Sequence, residues 1–270
     1  MVEGEGRLLS TAKLDVEQFL EVLGRSSRGV LLLDYDGTLA PFTTERQRAL
    51  PYRGVPALLK AIMNLGHTRV AVVTGRPASE IAPLLGIFPP PEIWGAYGQQ
   101  HLKPNGACTA QSLDQSTQEA LTAATQWLEQ LHLSHLVESK PGSVAVHWRG
   151  LEDSEVASTR GRILLGWISI ADRSRMAIQD FDGGIEMISP RFTKGSVVRA
   201  LLAEIDPATP VAYLGDDEPD EDAFLALDHR GLRILVRSEW RETLADTWLR
   251  PPGELLQFLS AWLEACGGAQ

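Results

Sequence analysis

The sequence predicts an α/β fold, a doubly wound parallel sheet interrupted by an inserted α+β unit. Short apolar runs at 30–33, 70–73 and 211–214 each stop abruptly, at carboxylates or at a hydroxyl, a glycine and a cation. Runs of that length, bounded by turns, read as strands buried on both faces. A helical period at 55–65, closed by Gly66, separates the first two runs and gives the strand, helix, strand order of a parallel crossover. From 106 to 189 the pattern changes to helices and paired alternating strands, a stretch too long for a loop. Residues 1–105 and 190–270 are therefore expected to form the core, and 106–189 a lid over it.

Composition narrows the class. The chain has 270 residues, enough for a substantial core, and its 44% hydrophobic and 22% charged residues are ordinary for a globular protein. A formal net charge of -10 argues against a general nucleic-acid binder, whose affinity rests on positive surface. It leaves room for a small anionic substrate, because a metal and local cations dominate inside a pocket. Cys108 and Cys266 stand far apart without metal spacing, which speaks against a disulfide framework or a zinc site. No apolar run reaches membrane-spanning length and the acidic start lacks a secretory pattern, so a cytoplasmic enzyme with no membrane partner is expected.

In chain order, Leu14, Phe19, Leu20 and Leu23 fall at helical spacing before Gly24. The first apolar run then meets Asp34-Tyr35-Asp36-Gly37-Thr38-Leu39. Ligands of open parallel sheets bind beyond the carboxyl ends of strands, so Asp34 and Asp36 stand at the mouth of a site. Two carboxylates there repel each other unless a cation or shared proton compensates. An Asp can attack phosphorus, and a second one two positions on, on the same side of a strand, can protonate the leaving oxygen. Gly37 supplies the tight turn, and Thr38 a hydroxyl near the phosphoryl oxygens. Residues 41–52 read as a loop over this site.

The second run ends in Thr74-Gly75-Arg76. Thr74 offers a hydroxyl and backbone N–H groups to a phosphoryl oxygen, and Arg76 a partner for substrate or for an acid. A helix at 78–86, a proline-rich connection at 88–91, a strand from 93 and a hairpin at 101–110 follow. In the lid, helices are expected at 113–133 and 153–168, with strands on either side of Pro141-Gly142 and at 176–180 and 184–188.

Thr193 caps a helix through residue 202, with Lys194 at its start. Cations are disfavoured there by the helix dipole, and that local conflict is what a phosphate-facing lysine looks like. The third run ends in Asp216-Asp217-Glu218-Pro219-Asp220-Glu221-Asp222, six carboxylates in seven positions, whose repulsion calls for a hard cation. Asp216 is the first candidate ligand and Asp220 the next, Asp217 is a candidate to orient Lys194, and Glu221 and Asp222 suit an acidic helix start. A strand at 233–236 and a helix at 255–263 close the chain.

Asp34, Thr74, Lys194 and Asp216 occur in the order and contexts of the four motifs of the haloacid dehalogenase (HAD) superfamily of phosphatases, which the chain therefore resembles. The resemblance implies a Rossmann-like HAD core with an inserted α+β cap. More narrowly, DYDGTL, TGR, KPGSVAVHWR, EMISP and GDDEPDEDAF are similar to the signatures of trehalose-6-phosphate phosphatases across most of the chain. That likeness implies Asp34 as nucleophile through an aspartyl-phosphate, and Asp36 as acid and then base. It further implies Mg²⁺ held by Asp34, the carbonyl of Asp36, Asp216 and Asp220, with Thr74 and Lys194 on the phosphoryl oxygens. Arg76, Lys140, His147, Arg149 and Glu186 would face the sugar phosphate or fix the lid, and a trehalose-phosphate synthase is the implied functional partner. Departures from the signatures are Tyr97 in place of His before Gly98, Gln99 or Gln100 in place of an acid, and Pro219 in place of Thr. They leave open another sugar phosphate, such as glucosylglycerol phosphate or sucrose 6-phosphate. A catalytically silent sugar-phosphate-binding module is a third reading, against which the mutually repelling carboxylates speak.

Overall fold

The computed structural model describes residues 15–43 and 45–267; Leu14 of the first expected helix lies outside them. The elements follow in the order α1 (Val16–Arg25), β1 (Gly29–Leu33), α2 (Val55–Asn64), β2 (Thr68–Val73), α3 (Ala78–Leu85), β3 (Glu92–Gly95), β4 (Gln100–Leu102) and β5 (Cys108–Ala110). Next come α4 (Gln115–Gln130), β6 (Val137–Lys140), β7 (Ser143–His147), α5 (Asp153–Ser174), β8 (Ala177–Phe181) and β9 (Gly184–Ile188). The chain ends with α6 (Lys194–Ala203), β10 (Val211–Gly215), α7 (Glu218–Leu227), β11 (Leu232–Val236), β12 (Thr247–Leu249) and α8 (Gly253–Gly267).

Among the described residues the strands form two sheets. The larger runs β12-β11-β10-β1-β2-β3-β4-β5, parallel from β12 to β3 and antiparallel beyond. From β1 the chain winds outward through β2 and β3, then returns to the other side of β1 with β10. The winding direction therefore reverses between β1 and β10, and the crevice at such a reversal is where α/β sheets bind ligands. Successive β1 side chains feed opposite faces, as the two-residue period of a strand requires. Leu31 and Leu33 pack with α1, α2, α3 and α8, while Val30 and Leu32 pack with α6 and α7. All four are essentially out of water, which is why the run is apolar without alternation.

The second sheet, β6-β7-β9-β8, is antiparallel throughout. One face carries Val144, Val146, Ile185 and Met187 against α4 and α5, anchored by the buried Trp167. The other face carries polar side chains, because register sets Glu138, Ala145, Glu186 and Gln179 side by side across the four strands. The hairpin of β4 and β5 runs past the expected division at 105, so that 108–110 is the last strand of the larger sheet. Helix α5 also runs on past 168, to a left-handed Arg175 that ends it. Among the described residues no helix is long and apolar enough to cross a membrane.

Leu33 precedes the site directly and is fully buried, whereas Leu165 on α5 is 78% exposed. Leu33→Ala is expected to cost about 2–5 kcal/mol in urea unfolding, and Leu165→Ala to stay within about 0.5 kcal/mol. Equal shifts in the urea midpoint would contradict this placement of the core.

Candidate active site

The carboxyl ends of β1, β2 and β10, together with the start of α6, bring chemistry from four distant stretches to one point. Asp34, first residue after β1, is buried, and its N–H donates to the carbonyl of Leu214, which ties it to β10. The ammonium of Lys194 donates to Asp34 Oδ1 at 2.6 Å and to Asp220 Oδ1 at 2.8 Å. Thr193 caps α6 through Ser196 N–H and so turns Lys194 inward rather than to water. Thr74 is buried at the end of β2, where its hydroxyl accepts from Arg76 N–H.

Gly37 is required by a close approach. Its φ is +87°, and a Cβ there would stand 2.1 Å from Asp216 Oδ2. The turn thus brings the Asp34 loop against Asp216, whose Oδ1 accepts from the Thr38 hydroxyl at 3.4 Å. Thr38 was expected to serve phosphoryl oxygens; it is fully buried and orients this carboxylate instead. Asp216 Oδ2 is buried with no hydrogen-bond partner. An orphaned, buried carboxylate oxygen beside a second carboxylate is costly unless a cation sits there. Asp34, Asp216 and Asp220 each offer an oxygen within 4.8 Å of the others, a donor set of hard oxygens that suits Mg²⁺ or Ca²⁺.

Within that set Asp220 differs from its neighbours. Its Oδ1 accepts from Lys194 and from Tyr213 OH, and its Oδ2 from the N–H groups of Asp216 and Asp217. Four protein donors occupy the carboxylate, which leaves Asp34 and Asp216 with the available oxygens. Asp217, expected to orient Lys194, accepts instead from Asp182 N–H in the turn between β8 and β9. Asp222, read as part of an acidic helix start, accepts from Gly195 N–H and binds α7 to α6.

Electrostatics follow from this burial. Desolvation pushes the Asp34 carboxyl from an ordinary 3.8 up to about 7, against the pull of Lys194 and with the help of Asp220 and Asp36. Desolvation, then Asp34 and Asp220, hold Asp216 well above its ordinary value. Burial alone would lower the Lys194 ammonium, but the Asp220, Asp34 and Asp216 carboxylates outweigh it and hold the pKa above normal. Removing one member of such a buried group leaves uncompensated charge, a loss of about 3–5 kcal/mol.

A cavity of about 460 Å³ opens from these residues towards the second sheet and is lined by Asp34, Asp36, Thr74, Arg76, Lys194 and Asp216 at one end. Lys140, His147 and Arg149 line it from the lid. Arg76 is committed to acids, pairing with Asp36 at 3.3 Å and Glu80 at 3.0 Å. His147 pairs with Glu138 at 2.7 Å, and the Arg149 guanidinium lies 4.7 Å from the Phe42 ring centre. Glu186, expected to face the sugar, does not line this cavity. It is fully buried, enclosed by Lys140, from which it accepts at 3.0 Å, and by Ser143, Gln179 and the Tyr97 hydroxyl.

Tyr97, Phe42, Glu138 and Phe181 also line the cavity. Tyr97 was marked in the sequence only as a departure from the family signature; Phe42, Glu138 and Phe181 were not singled out, although the alternation on the lid strands was a usable signal for the last two. Arg237, also not singled out in the sequence, lies outside the cavity lining: it donates to the Asp216 carbonyl at 3.3 Å and to Asp182 Oδ2 at 3.1 Å, joining the acidic loop to the lid turn.

Between about pH 4 and 7 the cation-free folded chain holds a proton on Asp34 that the unfolded chain has released, and Asp216 is shifted in the same direction. The stability this gives is present at low pH and is lost as pH rises through the folded value near 7. Chelator-treated protein is therefore expected to melt at a lower temperature at about pH 7.5 than at about pH 5.5. Added Mg²⁺ should raise the melting temperature more at the higher pH, since bound metal replaces protons. An equal Mg²⁺ effect at both pH values would contradict the cluster's protonation.

A family model described as trehalose-phosphatase matches residues 32–246. A probable trehalose-phosphate phosphatase H of Arabidopsis thaliana is 28% identical, over 93% of this chain and 76% of the plant protein. The trehalose-phosphate phosphatase of Mycobacterium marinum is 28% identical, over 88% of this chain and 64% of its own length. The solved C-terminal domain of the C. albicans trehalose-6-phosphate phosphatase superposes with a TM-score of 0.76 at 19% identity, covering 93% of this chain and 97% of that domain. The chain belongs to the trehalose-phosphatase family.

Proposed function

We propose that this member of the trehalose-phosphatase family hydrolyses trehalose 6-phosphate to trehalose and phosphate, through an aspartyl-phosphate on Asp34 and with Mg²⁺ as cofactor. The observation that carries the reading is the buried contact of Lys194 with Asp34 beside the unpartnered oxygen of Asp216, at the floor of a lid-covered cavity. A phosphoryl group seated there meets a nucleophile on one side and a cation on the other.

In the first step an Asp34 oxygen attacks phosphorus, and the bond from phosphorus to the sugar oxygen breaks. Asp36, held by Arg76, gives its proton to that oxygen as the disaccharide leaves. In the second step Asp36 takes a proton from water, the water oxygen attacks phosphorus, and the bond to Asp34 breaks to release phosphate. Thr74 and Lys194 hold phosphoryl oxygens as charge moves. Asp34, the Asp36 carbonyl and Asp216 would hold Mg²⁺, which supplies neutralisation of the crowded anions. Asp220, saturated by four donors, keeps Lys194 in place rather than serving as a principal ligand.

At the other end, Lys140, His147 and Arg149 present donors to sugar hydroxyls, with Glu138 fixing the His147 ring. Glu186 supports Lys140 from below. Contacts of Asp182 with Asp217 and Arg237 tie the lid to the acidic loop beside the site. A trehalose-phosphate synthase is the enzyme class that would supply the substrate.

The test is phosphate release from trehalose 6-phosphate, with and without Mg²⁺, beside glucose 6-phosphate, sucrose 6-phosphate and glucosylglycerol phosphate. Preferred, Mg²⁺-dependent turnover of trehalose 6-phosphate is expected, with Asp34→Asn lowering kcat about 10⁴-fold or more and Asp36→Asn about 10²- to 10⁴-fold. A strong preference for another sugar phosphate would move the substrate assignment, and a fully active Asp34→Asn would remove the mechanism.

A further inference from the structure

Tyr97 occupies a place that neither the phosphoryl chemistry nor the lid donors explain. It follows β3 in a backbone conformation that side chains other than glycine rarely adopt, with φ +55° after Ala96 at φ +47°. Three hydrogen bonds hold this turn: Ala96 N–H to the Arg76 carbonyl, Tyr97 N–H to the Thr74 carbonyl and Gln99 N–H to the Ala96 carbonyl. The ring stands over Gly75, where a Cβ would come within 2.6 Å of Tyr97 Cζ. Gly98 is pressed as closely on Val197 of α6, where a Cβ would meet Cγ2 at 2.4 Å. The Tyr97 hydroxyl is thus a fixed point on the larger sheet, wedged between the Thr74 loop and the helix that begins with Lys194.

That hydroxyl donates across to the lid. It meets Glu186 Oε2 at 2.6 Å, while Glu186 Oε1 accepts from Lys140 at 3.0 Å and from the Ser143 hydroxyl. Gln179 adds a longer contact at 3.4 Å to Oε2. Glu186 itself has no exposure, whereas Lys140 and Tyr97 line the cavity, the ammonium lying 5.6 Å from the Tyr97 ring centre. A carboxylate so enclosed is not free to reach a ligand. Its placement decides where the Lys140 ammonium stands, and its placement is fixed at one end by a residue of the other sheet.

We propose that Tyr97 is a positioning residue for sugar recognition: through Glu186 it sets the Lys140 ammonium against the sugar hydroxyls and sets the lid's distance from the phosphoryl site. The inference rests on the sugar-phosphate reading of the cavity. It adds that specificity depends on a hydroxyl contributed by the core, whose effect reaches the sugar without the hydroxyl having to touch it. Lys140 alone, on the edge strand of the lid, would keep its charge but lose its aim.

Tyr97→Phe keeps the ring over Gly75 and deletes only the hydroxyl, so it separates the two roles of the side chain. The variant is expected to raise KM for trehalose 6-phosphate about five- to twentyfold and to change kcat less than about threefold. The loss should fall at least about fivefold more heavily on trehalose 6-phosphate than on p-nitrophenyl phosphate, which has no sugar hydroxyls. In a double-mutant cycle, Lys140→Met should raise KM about tenfold in the parent and no more than about twofold in the Tyr97→Phe background. Multiplying effects would show that Tyr97 does not act through Lys140, and an equal loss on both substrates would place it in the chemistry; either overturns the proposal. An unchanged KM in Tyr97→Phe overturns it as well.

If Tyr97→Phe does not fold by circular dichroism, Ser143→Ala, which loosens Glu186 from within the lid, is the second variant. It should show the same skew towards the sugar substrate, and the absence of that skew would overturn the proposal. Parent enzyme that ignores trehalose 6-phosphate but turns over another sugar phosphate would displace the substrate assignment alone, and the cycle run on that sugar phosphate would still decide the role of Tyr97.

Discussion

The ammonium of Lys194, buried between Asp34 and Asp220, is the interaction on which the rest of the site depends. Two carboxylates that close in a dry interior would repel each other or take up protons, and an isolated lysine there would lose its own. Together they form a compensated group, but an incomplete one: Asp216 adds a further carboxylate with one oxygen unpartnered. The residual negative charge, fixed cation and orphaned acceptor are what the proposed binding of a divalent cation and a phosphoryl group rests on. Burial first, and the neighbouring carboxylates after it, raise the pKa values of Asp34 and Asp216.

The fold produces this grouping from topology. Reversal of winding between β1 and β10 sets Asp34 and Asp216 on neighbouring strands, with Leu33 paired to Leu214 one residue and two residues before them. Gly37 lets the intervening turn press on Asp216, and the capped start of α6 delivers the lysine from the opposite face. Besides Arg149 against Phe42, the lid meets the core through polar contacts at two separated points. One joins Tyr97 to Glu186, and the other joins Asp217 and Arg237 to Asp182. Each reaches back to a residue beside the chemistry, so lid position and site geometry are set together.

Much of this was legible in the chain because it depends on local pattern. Apolar runs ending in acids announced the parallel strands and the positions of Asp34, Asp36 and Asp216, and a lysine at a helix start announced itself by conflict with the dipole. Pairings between distant residues were not legible. Nothing local tells that Asp220 rather than Asp217 holds Lys194, or that Thr38 turns to a carboxylate 178 residues later. Glu186 and Lys140 lie in one small sheet, and which of them faces the cavity is decided by the distant partners that enclose Glu186, Tyr97 among them, which a single sequence does not display. Strand β12 escaped notice for a plainer reason: it is short and has no fully buried position, so it carries no apolar alternation.

Asp34 is the group proposed to take the phosphoryl. The most direct measurement is the stereochemical course at phosphorus, using a trehalose 6-thiophosphate made chiral with oxygen isotopes and hydrolysed in labelled water. Two successive in-line displacements, first by Asp34 and then by water, predict overall retention of configuration. Inversion would mean that water attacks phosphorus directly, and would contradict the covalent role of Asp34.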